Sequence, residues 1–325
     1  DTLFQNLSRL SHCQTTLATF TAAGMVKRGL EAAGFDVQKT KGYGKKRERI
    51  TATITKHDPL SAKTKPPEEA TILGAGIAGA LRAHQLKKRG LKTTLIEKAK
   101  IANGASGNPA GLISPKITLG TDPQADFMAK AYMFAMRFYQ NLHQANPALF
   151  IETFSALKKA ASQREQEQFN KLATKNSWHH DYLSCVDQSD GNYSLSFKPC
   201  FTVRPDQLTN HFAKDADQLI VANIKTLKHE AGLWSLYDDE RKLIHQTNCL
   251  IITAGFETKN LLDQLDMETV AISHSRGQIS LIEDQPHYPS GALYQGAYLT
   301  PAFDQPSGGK PVRLLGASFD RETAL

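Results

Sequence analysis

Gly74, Gly76 and Gly79 stand in the spacing G-x-G-x-x-G. They follow an apolar run, Ala70 to Leu73, and open a stretch with helical patterning, Ile77 to Arg89. A second apolar run from Thr93 ends on Glu97, 18 residues after Gly79. Strand, glycine turn, helix and acid-tipped strand in this order suit a dinucleotide. Gly74 permits the tight turn, Gly76 lets a pyrophosphate approach bare backbone at a helix N-terminus, and Gly79 lets helix and strand pack closely. Ala75, Ile77 and Ala78 complete the phosphate loop. Glu97, followed by Lys98, can accept hydrogen bonds from both ribose hydroxyls and would repel a 2′-phosphate.

The fingerprint serves FAD and NAD alike, and two further segments favour FAD. Lys98 to Leu112 is a second run of small residues, in which Ala105, Ser106, Gly107, Ala110 and Gly111 are candidates to lie against a pyrophosphate and flavin. Cys249 to Gly255 is an apolar strand ending in Ala254-Gly255, suited to return to the dinucleotide. Other chemistries find little support. Cys13, Cys185, Cys200 and Cys249 are far apart and form no C-x-x-C pair, so reduced, buried thiols are expected and no metal site. The side chains of His179 and His180 diverge on any regular element and read as surface.

The charge is local. The chain carries 39 Lys and Arg against 32 Asp and Glu, a net of +7. Residues 39 to 65 hold nine of the basic groups and two acids, Glu48 and Asp58, so this window alone accounts for the +7. Lys45, Lys46, Arg47 and Arg49 are its densest part. Such a stripe attracts phosphate backbones by counterion release, and it is equally the composition of a solvated linker.

These residues need elements to position them. A length of 325 residues makes about two domains. His57 to Glu69, with Pro59, Pro66 and Pro67, reads as an interdomain linker. Residues 1–56 read as helix, strand, helix, strand, strand: Leu3, Phe4, Leu7 and Leu10 at helical spacing, an apolar run ending at Thr21, a helix over 22–33 closed by Gly34, then Phe35 to Lys39 and Arg49 to Thr55. Residues 70–325 restart with the nucleotide-binding unit. Helices are expected over 123–145, with Phe127, Ala131, Phe134, Phe138 and Leu142 on one side, and from Ala160 to Ala173. Further strands are expected at Phe201 to Val203, Gln218 to Ala222, Gly232 to Tyr237, Asn248 to Thr253 and Gly277 to Ile282. The fold class is α/β: a Rossmann-like FAD domain with a mixed antiparallel substrate domain, preceded by a smaller α/β piece. No run of 18 apolar residues exists, and the first ten residues lack the basic start and apolar core of a signal peptide. A cytoplasmic, monomeric protein without membrane contact is expected.

The glycine fingerprint, Gly104-Ala105-Ser106-Gly107-Asn108, Val203-Arg204-Pro205, Ile252-Thr253-Ala254-Gly255 and Arg276-Gly277-Gln278 together resemble the D-amino-acid-oxidase, glycine-oxidase-like FAD family. SGNPAGLISPK, SRGQIS, YLTPA and LLGASFDR are similar to the oxidoreductase half of the bifunctional tRNA 5-methylaminomethyl-2-thiouridine biosynthesis family. LATFTAAGMVKRGLEAAGFDVQKTKGYGKKRE resembles the end of that family's methyltransferase half. The resemblance implies FAD-dependent oxidation of the carboxymethylaminomethyl group on a wobble uridine of tRNA, with release of glyoxylate. It also implies methylation of the resulting aminomethyl group by an S-adenosylmethionine-dependent half. It further implies that the chain starts inside the methyltransferase half, without its cofactor loop, and stops before the oxidase fold closes. Arg276 and Arg204 are the candidates to clamp a glycine-like carboxylate, because a guanidinium fork pairs bidentately with it. The stripe of Lys45, Lys46, Arg47 and Arg49 is the candidate tRNA contact. A free amino-acid oxidase of glycine or sarcosine type, and a non-catalytic fragment, are the alternatives.

Overall fold

The computed structural model describes residues 2–42, 44, 46–54, 67–115, 123–175, 182–189, 191–265, 272, 275–305 and 307–318, with backbone alone at residues 2, 125, 152–155, 174 and 175. Lys45, His179, His180 and residues 57–66 of the expected linker lie outside the described residues. The chain divides into two compact units, Asp1–Pro67 and Glu68–Leu325.

The first unit runs α1 (Thr2–Arg9), β1 (Thr16–Thr19), α2 (Gly24–Ala32), β2 (Phe35–Lys41) and β3 (Glu48–Ile54). Its antiparallel sheet has the order β1-β3-β2. Alternation along β3 decides which face packs: Ile50, Ala52 and Ile54 are buried, and Thr51 and Thr53 point the other way. The buried set joins Leu30 of α2 and Phe35, with Phe4, Leu7, Leu17, Val26 and Val37 packed around it. Helix α2 stops because Gly34 takes φ 92°, a value that a side chain at this position would oppose.

The second unit begins with β4 (Glu69–Leu73), α3 (Ile77–Lys87), β5 (Lys92–Glu97) and β6 (Gly111–Ile113). It continues with α4 (Pro123–Ala145), β7 (Phe150–Lys158), α5 (Gln163–Lys175), β8 (Leu183–Asp187), β9 (Tyr193–Val203), α6 (Pro205–Ala213) and β10 (Gln218–Val221). Then come β11 (Thr226–Glu230), β12 (Leu233–Tyr237), β13 (Leu243–Thr247), β14 (Leu250–Ile252), α7 (Thr258–Leu262), β15 (Ile279–Glu283), β16 (Ala292–Gln295), β17 (Ala297–Leu299) and β18 (Val312–Gly316). A parallel sheet of order β10-β5-β4-β14 forms the nucleotide-binding layer. An eight-stranded mixed sheet, β15-β18-β17-β16-β7-β9-β6, carries β8 paired to β9. A three-stranded antiparallel sheet, β11-β12-β13, completes the unit.

Strand β4 is buried from Ala70 to Leu73, as a central parallel strand must be. Helix α3 turns Gly79, Ala80 and Ala83 inward. Small residues there bring helix and sheet close. The main core gathers Ile72, Leu95, Tyr132, Met136, Phe150, Phe201 and Phe212, each large side chain contributing about 2–3 kcal/mol on burial.

Two sequence expectations change. Phe127 and Phe134 of α4 are 68% and 76% exposed, and the helix instead buries Tyr132 and Met136. Both stripes are apolar at helical spacing, so periodicity could not choose between them. Strand β9 is eleven residues long and not three. Its register with β7 shifts between Phe154↔Cys200 and Ala156↔Phe197. That bulge takes up Pro199, which has no N–H for the ladder and reads in sequence as a strand breaker.

Candidate cofactor site

The first strand of the unit, β4, sits inside the parallel sheet with β5 on one side and β14 on the other. Connections leaving in opposite directions open a crevice beyond the carboxyl ends of the strands, where open α/β sheets take ligands. The structure has a cavity of about 410 Å3 there. Its wall is drawn from the ends of all four strands: Gly74 and Gly76 after β4, Glu97 and Lys98 at β5, Asn223 after β10, and Thr253, Ala254 and Gly255 after β14.

The turn from β4 into α3 is held by backbone contacts. Gly74 has φ 108°, and its N–H donates to the Ile96 carbonyl at 2.8 Å. A Cβ at Gly74 would stand 2.5 Å from the Thr253 carbonyl oxygen, and one at Gly79 only 1.9 Å from the Gly74 carbonyl oxygen. The Thr253 hydroxyl lies 3.1 and 3.0 Å from the carbonyls of Leu73 and Gly74 and ties β14 to the turn. Gly76 differs from both. A Cβ there would meet only the Ser106 hydroxyl, at 3.2 Å, so the turn presents bare backbone to the cavity.

Glu97 and Ser106 fix this turn from outside. The Ala75 N–H donates to Glu97 Oε2 at 2.8 Å, and the Lys98 N–H to Oε1 at 2.9 Å. Each carboxylate oxygen keeps a lone pair for a ribose hydroxyl. The Ile77 N–H donates to Ser106 Oγ at 2.9 Å, a cap supplied from a distant segment because Gly76 has no side chain to give one. The first intrahelical bond runs from Ala80 N–H to the Gly76 carbonyl. The N–H groups of Ala78 and Gly79 precede it, at the positive end of an eleven-residue helix. Lys98 Nζ lies 3.7 Å from Glu257 Oε1.

Of the expected cofactor residues, Gly74, Gly76, Ile77, Ala78, Glu97, Lys98, Ala105, Ser106, Ala254 and Gly255 line this cavity. Ala75 and Gly79 are buried behind it. Gly107 lines a neighbouring cleft of about 720 Å3 with Asn103, Asn108, Asp206 and Asn210. Ala110 is buried against Phe303, Val312 and Leu314, and Gly111 pairs with Val203 in the mixed sheet. Those last two do not reach the cavity. Asn223, Ile224, Phe256 and Leu261 line it without having been read from sequence. The available signal was the apolar run before Asn223, whose place beside β5 depends on a pairing over a hundred residues apart.

Neither candidate arginine lines the cavity. Arg204 caps α6, half-buried, with its guanidinium 5.9 Å from the centre of the Phe303 ring. Arg276 is exposed before β15. Among the described residues neither meets a carboxylate. Arg313, by contrast, is buried and already engaged by Asp284 and by the carbonyls of Pro289 and Thr300. Near the mixed sheet, Tyr294 donates to Ser114 Oγ at 2.7 Å and Tyr132 to the Pro199 carbonyl at 2.9 Å. Burial raises both phenols and pushes the Cys200 thiol to about 12, so all three are neutral at pH 7. Among the described residues no group of His, Cys, Asp and Glu could hold a metal ion, and no helix is long and apolar enough to cross a membrane.

Residues 69–323 match the family model for FAD dependent oxidoreductases. The chain belongs to the FAD-dependent oxidoreductase family. Residues 1–55 match the model for an S-adenosyl-L-methionine-dependent methyltransferase. The chain is 30% identical over 341 residues to the tRNA 5-methylaminomethyl-2-thiouridine biosynthesis bifunctional protein MnmC of Magnetococcus marinus, covering 98% of this chain and 50% of that protein. It thus spans about half the length of the curated relatives it matches. In fold it is similar to glycine oxidase from Geobacillus kaustophilus, with a TM-score of 0.63 and 14% identity over 78% of this chain and 72% of that one. Iminodiacetate oxidase from Chelativorans sp. BNC1 gives 0.59 and 16% over the same shares.

FAD is the family's cofactor, and the cavity fits it. Bare backbone at Gly76, a helix N-terminus behind it and a carboxylate at the end of β5 match a pyrophosphate and a ribose in turn.

Proposed function

We propose that this chain belongs to a tRNA-modifying enzyme. In this reading it removes the carboxymethyl group from 5-carboxymethylaminomethyl-(2-thio)uridine at the wobble position, leaving 5-aminomethyl-(2-thio)uridine for methylation with S-adenosylmethionine. The observation that carries the reading is the pair of matches in one chain, methyltransferase over 1–55 and FAD oxidoreductase over 69–323, in the order of the bifunctional relatives. The names of the fold neighbours support the bond chosen. Glycine, iminodiacetate and a carboxymethylaminomethyl group all contain N–CH2–COO⁻.

The chain's own residues bind and orient. The Gly74–Gly79 turn and the N–H groups of Ala78 and Gly79 would hold the dinucleotide phosphates, and Glu97 would hold a ribose. When bound, FAD supplies the two-electron oxidation of the CH2 between nitrogen and carboxylate. Hydrolysis of the oxidised C–N bond then frees glyoxylate and leaves the amine on the base. Arg204 and Arg276 are the proposed clamps for the carboxylate; Arg204 is the better held, by its place at the start of α6 and against Phe303. The tRNA backbone meets the basic stripe of Lys45, Lys46, Arg47 and Arg49, and the reaction belongs in the cytoplasm. The protein is proposed to act as a monomer.

A free amino-acid oxidase of glycine type is the second reading, favoured by the neighbour folds. The two separate in one experiment. The FAD-loaded protein is given tRNA bearing the carboxymethylaminomethyl group, or glycine, and glyoxylate and nucleoside mass are measured. Loss of the carboxymethyl group from tRNA with little turnover of glycine is expected. Turnover of glycine with tRNA untouched would select the second reading.

A further inference from the structure

The sheet of Asp1–Pro67 buries one face, and Thr16, Ala18 and Gln38 are exposed on the other. Its register places a row of side chains across one end of that open face. Thr40 pairs with Arg49, and Thr19 pairs with Ile50, so Phe20 follows opposite Arg49. The Arg49 guanidinium donates to the Thr40 hydroxyl at 3.3 Å. The β2–β3 hairpin closes with the Gly42 N–H on the Arg47 carbonyl, so tightly that a Cβ at Gly42 would lie 2.4 Å from the Lys46 carbonyl oxygen. This turn folds Lys46 back over the row. Its ammonium donates to the Phe20 carbonyl at 3.3 Å and stands 4.5 Å from the centre of the Phe20 ring.

Phe20 is 76% exposed, so most of its ring is in water although one face carries the ammonium. Among the described residues neither Lys46 nor Arg49 meets a carboxylate, whereas Lys39 nearby is paired with Glu48 at 3.1 Å. With Ala18, Thr19 and Gly42 the three line a cleft of about 330 Å3. The unit around them carries 12 basic and 5 acidic residues, the whole net charge of the chain. An exposed aromatic ring in one cleft with two cations that meet no carboxylate among the described residues offers a π-face for a base and two donors for the phosphates beside it. An acidic peptide would use the cations and leave the ring without a purpose.

We infer that Phe20, Lys46 and Arg49 form a stacking site for one unpaired nucleotide of an RNA strand. The inference rests on the tRNA reading and adds to it the place where an unpaired base is held. Stacking and charge then separate by mutation, since the ring contributes no counterion release.

The test uses the full chain and a fluorescent twelve-nucleotide oligouridine, whose bases scarcely stack on one another. An abasic oligomer of the same length and poly-glutamate serve as controls. Phe20→Ala and Phe20→Leu are expected to weaken oligouridine binding about tenfold or more and to leave its salt slope unchanged. Neither should alter abasic binding, and Phe20→Trp should retain affinity and show fluorescence quenching on binding. Lys46→Ala and Arg49→Ala are each expected to lower the salt slope by about 0.7 for both oligomers. If Phe20→Ala bound oligouridine as the parent does while tRNA binding persisted, the stacking site would be overturned and the tRNA reading would stand. Binding of neither tRNA nor oligomer by the parent would overturn both. Poly-glutamate bound as tightly as oligouridine, with no effect of Phe20→Ala, would overturn the site in favour of an acidic protein partner.

Discussion

Around Gly76 the cavity wall is backbone, with Ser106 Oγ the one atom within 4 Å of a Cβ built there, whereas around Phe20 the cleft is made by a ring, an ammonium and a guanidinium on bare strands. The units that hold them differ in the same sense. Glu68–Leu325 carries 27 basic and 27 acidic residues, and Asp1–Pro67 carries 12 and 5. A pyrophosphate of fixed shape is met by N–H groups that the fold aims, with no net charge required. A polyanion bound in the second cleft, as proposed, would instead be met by side-chain charge and a ring face. The first kind of site breaks when a methyl group is added, and the second when its charges or its stacking ring are removed.

The largest effect is expected from Gly79→Ala. The new Cβ would stand 1.9 Å from the Gly74 carbonyl oxygen and 2.8 Å from Thr253 Oγ1, so the helix must leave the sheet. Overpacking of this kind costs about 3 kcal/mol, a fall of roughly 6–12 °C in Tm, with flavin content at background. Full flavin content at an unchanged Tm would show that the turn is not close-packed. Next comes Glu97→Ala. It frees the N–H groups of Ala75 and Lys98 and removes the ribose acceptor, and should weaken flavin binding about tenfold with little change in tRNA binding. The same measurement on a protein with Lys45, Lys46, Arg47 and Arg49 replaced by Ala should give the reverse pattern. Flavin binding stays, and the salt slope for tRNA falls by up to about 0.7–0.9 per lost contact. An unchanged slope would make the stripe a solvated segment and remove one side of the contrast.

The two regions were also unequally legible in sequence. The Gly74–Gly79 turn and Glu97 could be read because the chemistry of a βαβ unit is packed into about thirty consecutive residues. Asn223 and Phe256 could not, since they reach the cavity through β10 and β14, strands brought in from far along the chain. Ala110 and Gly111, small residues near the fingerprint that suggested ligand contact, lie outside the cavity's lining, packed against Phe303 and paired with Val203. In the first unit composition revealed the charge and not the ring. Phe20 stands in an apolar run that reads as a strand, and the β1–β3 register turns it outward beside Arg49. The Arg204-Pro205 step carried a helix-start signal, Pro at the first helical position, yet α6 went unread because its apolar face, Leu208 and Phe212, is short.

Titration of flavin fluorescence against the parent protein and Gly76→Val tests the cofactor site most directly, because Gly76 is the one glycine of the turn whose substitution enters the cavity rather than the protein's own backbone. The parent is expected to quench flavin adenine dinucleotide saturably, and Gly76→Val to give no saturable quenching while melting within a few degrees of the parent. Equal affinity in the two proteins would contradict a pyrophosphate seated on the backbone at Gly76.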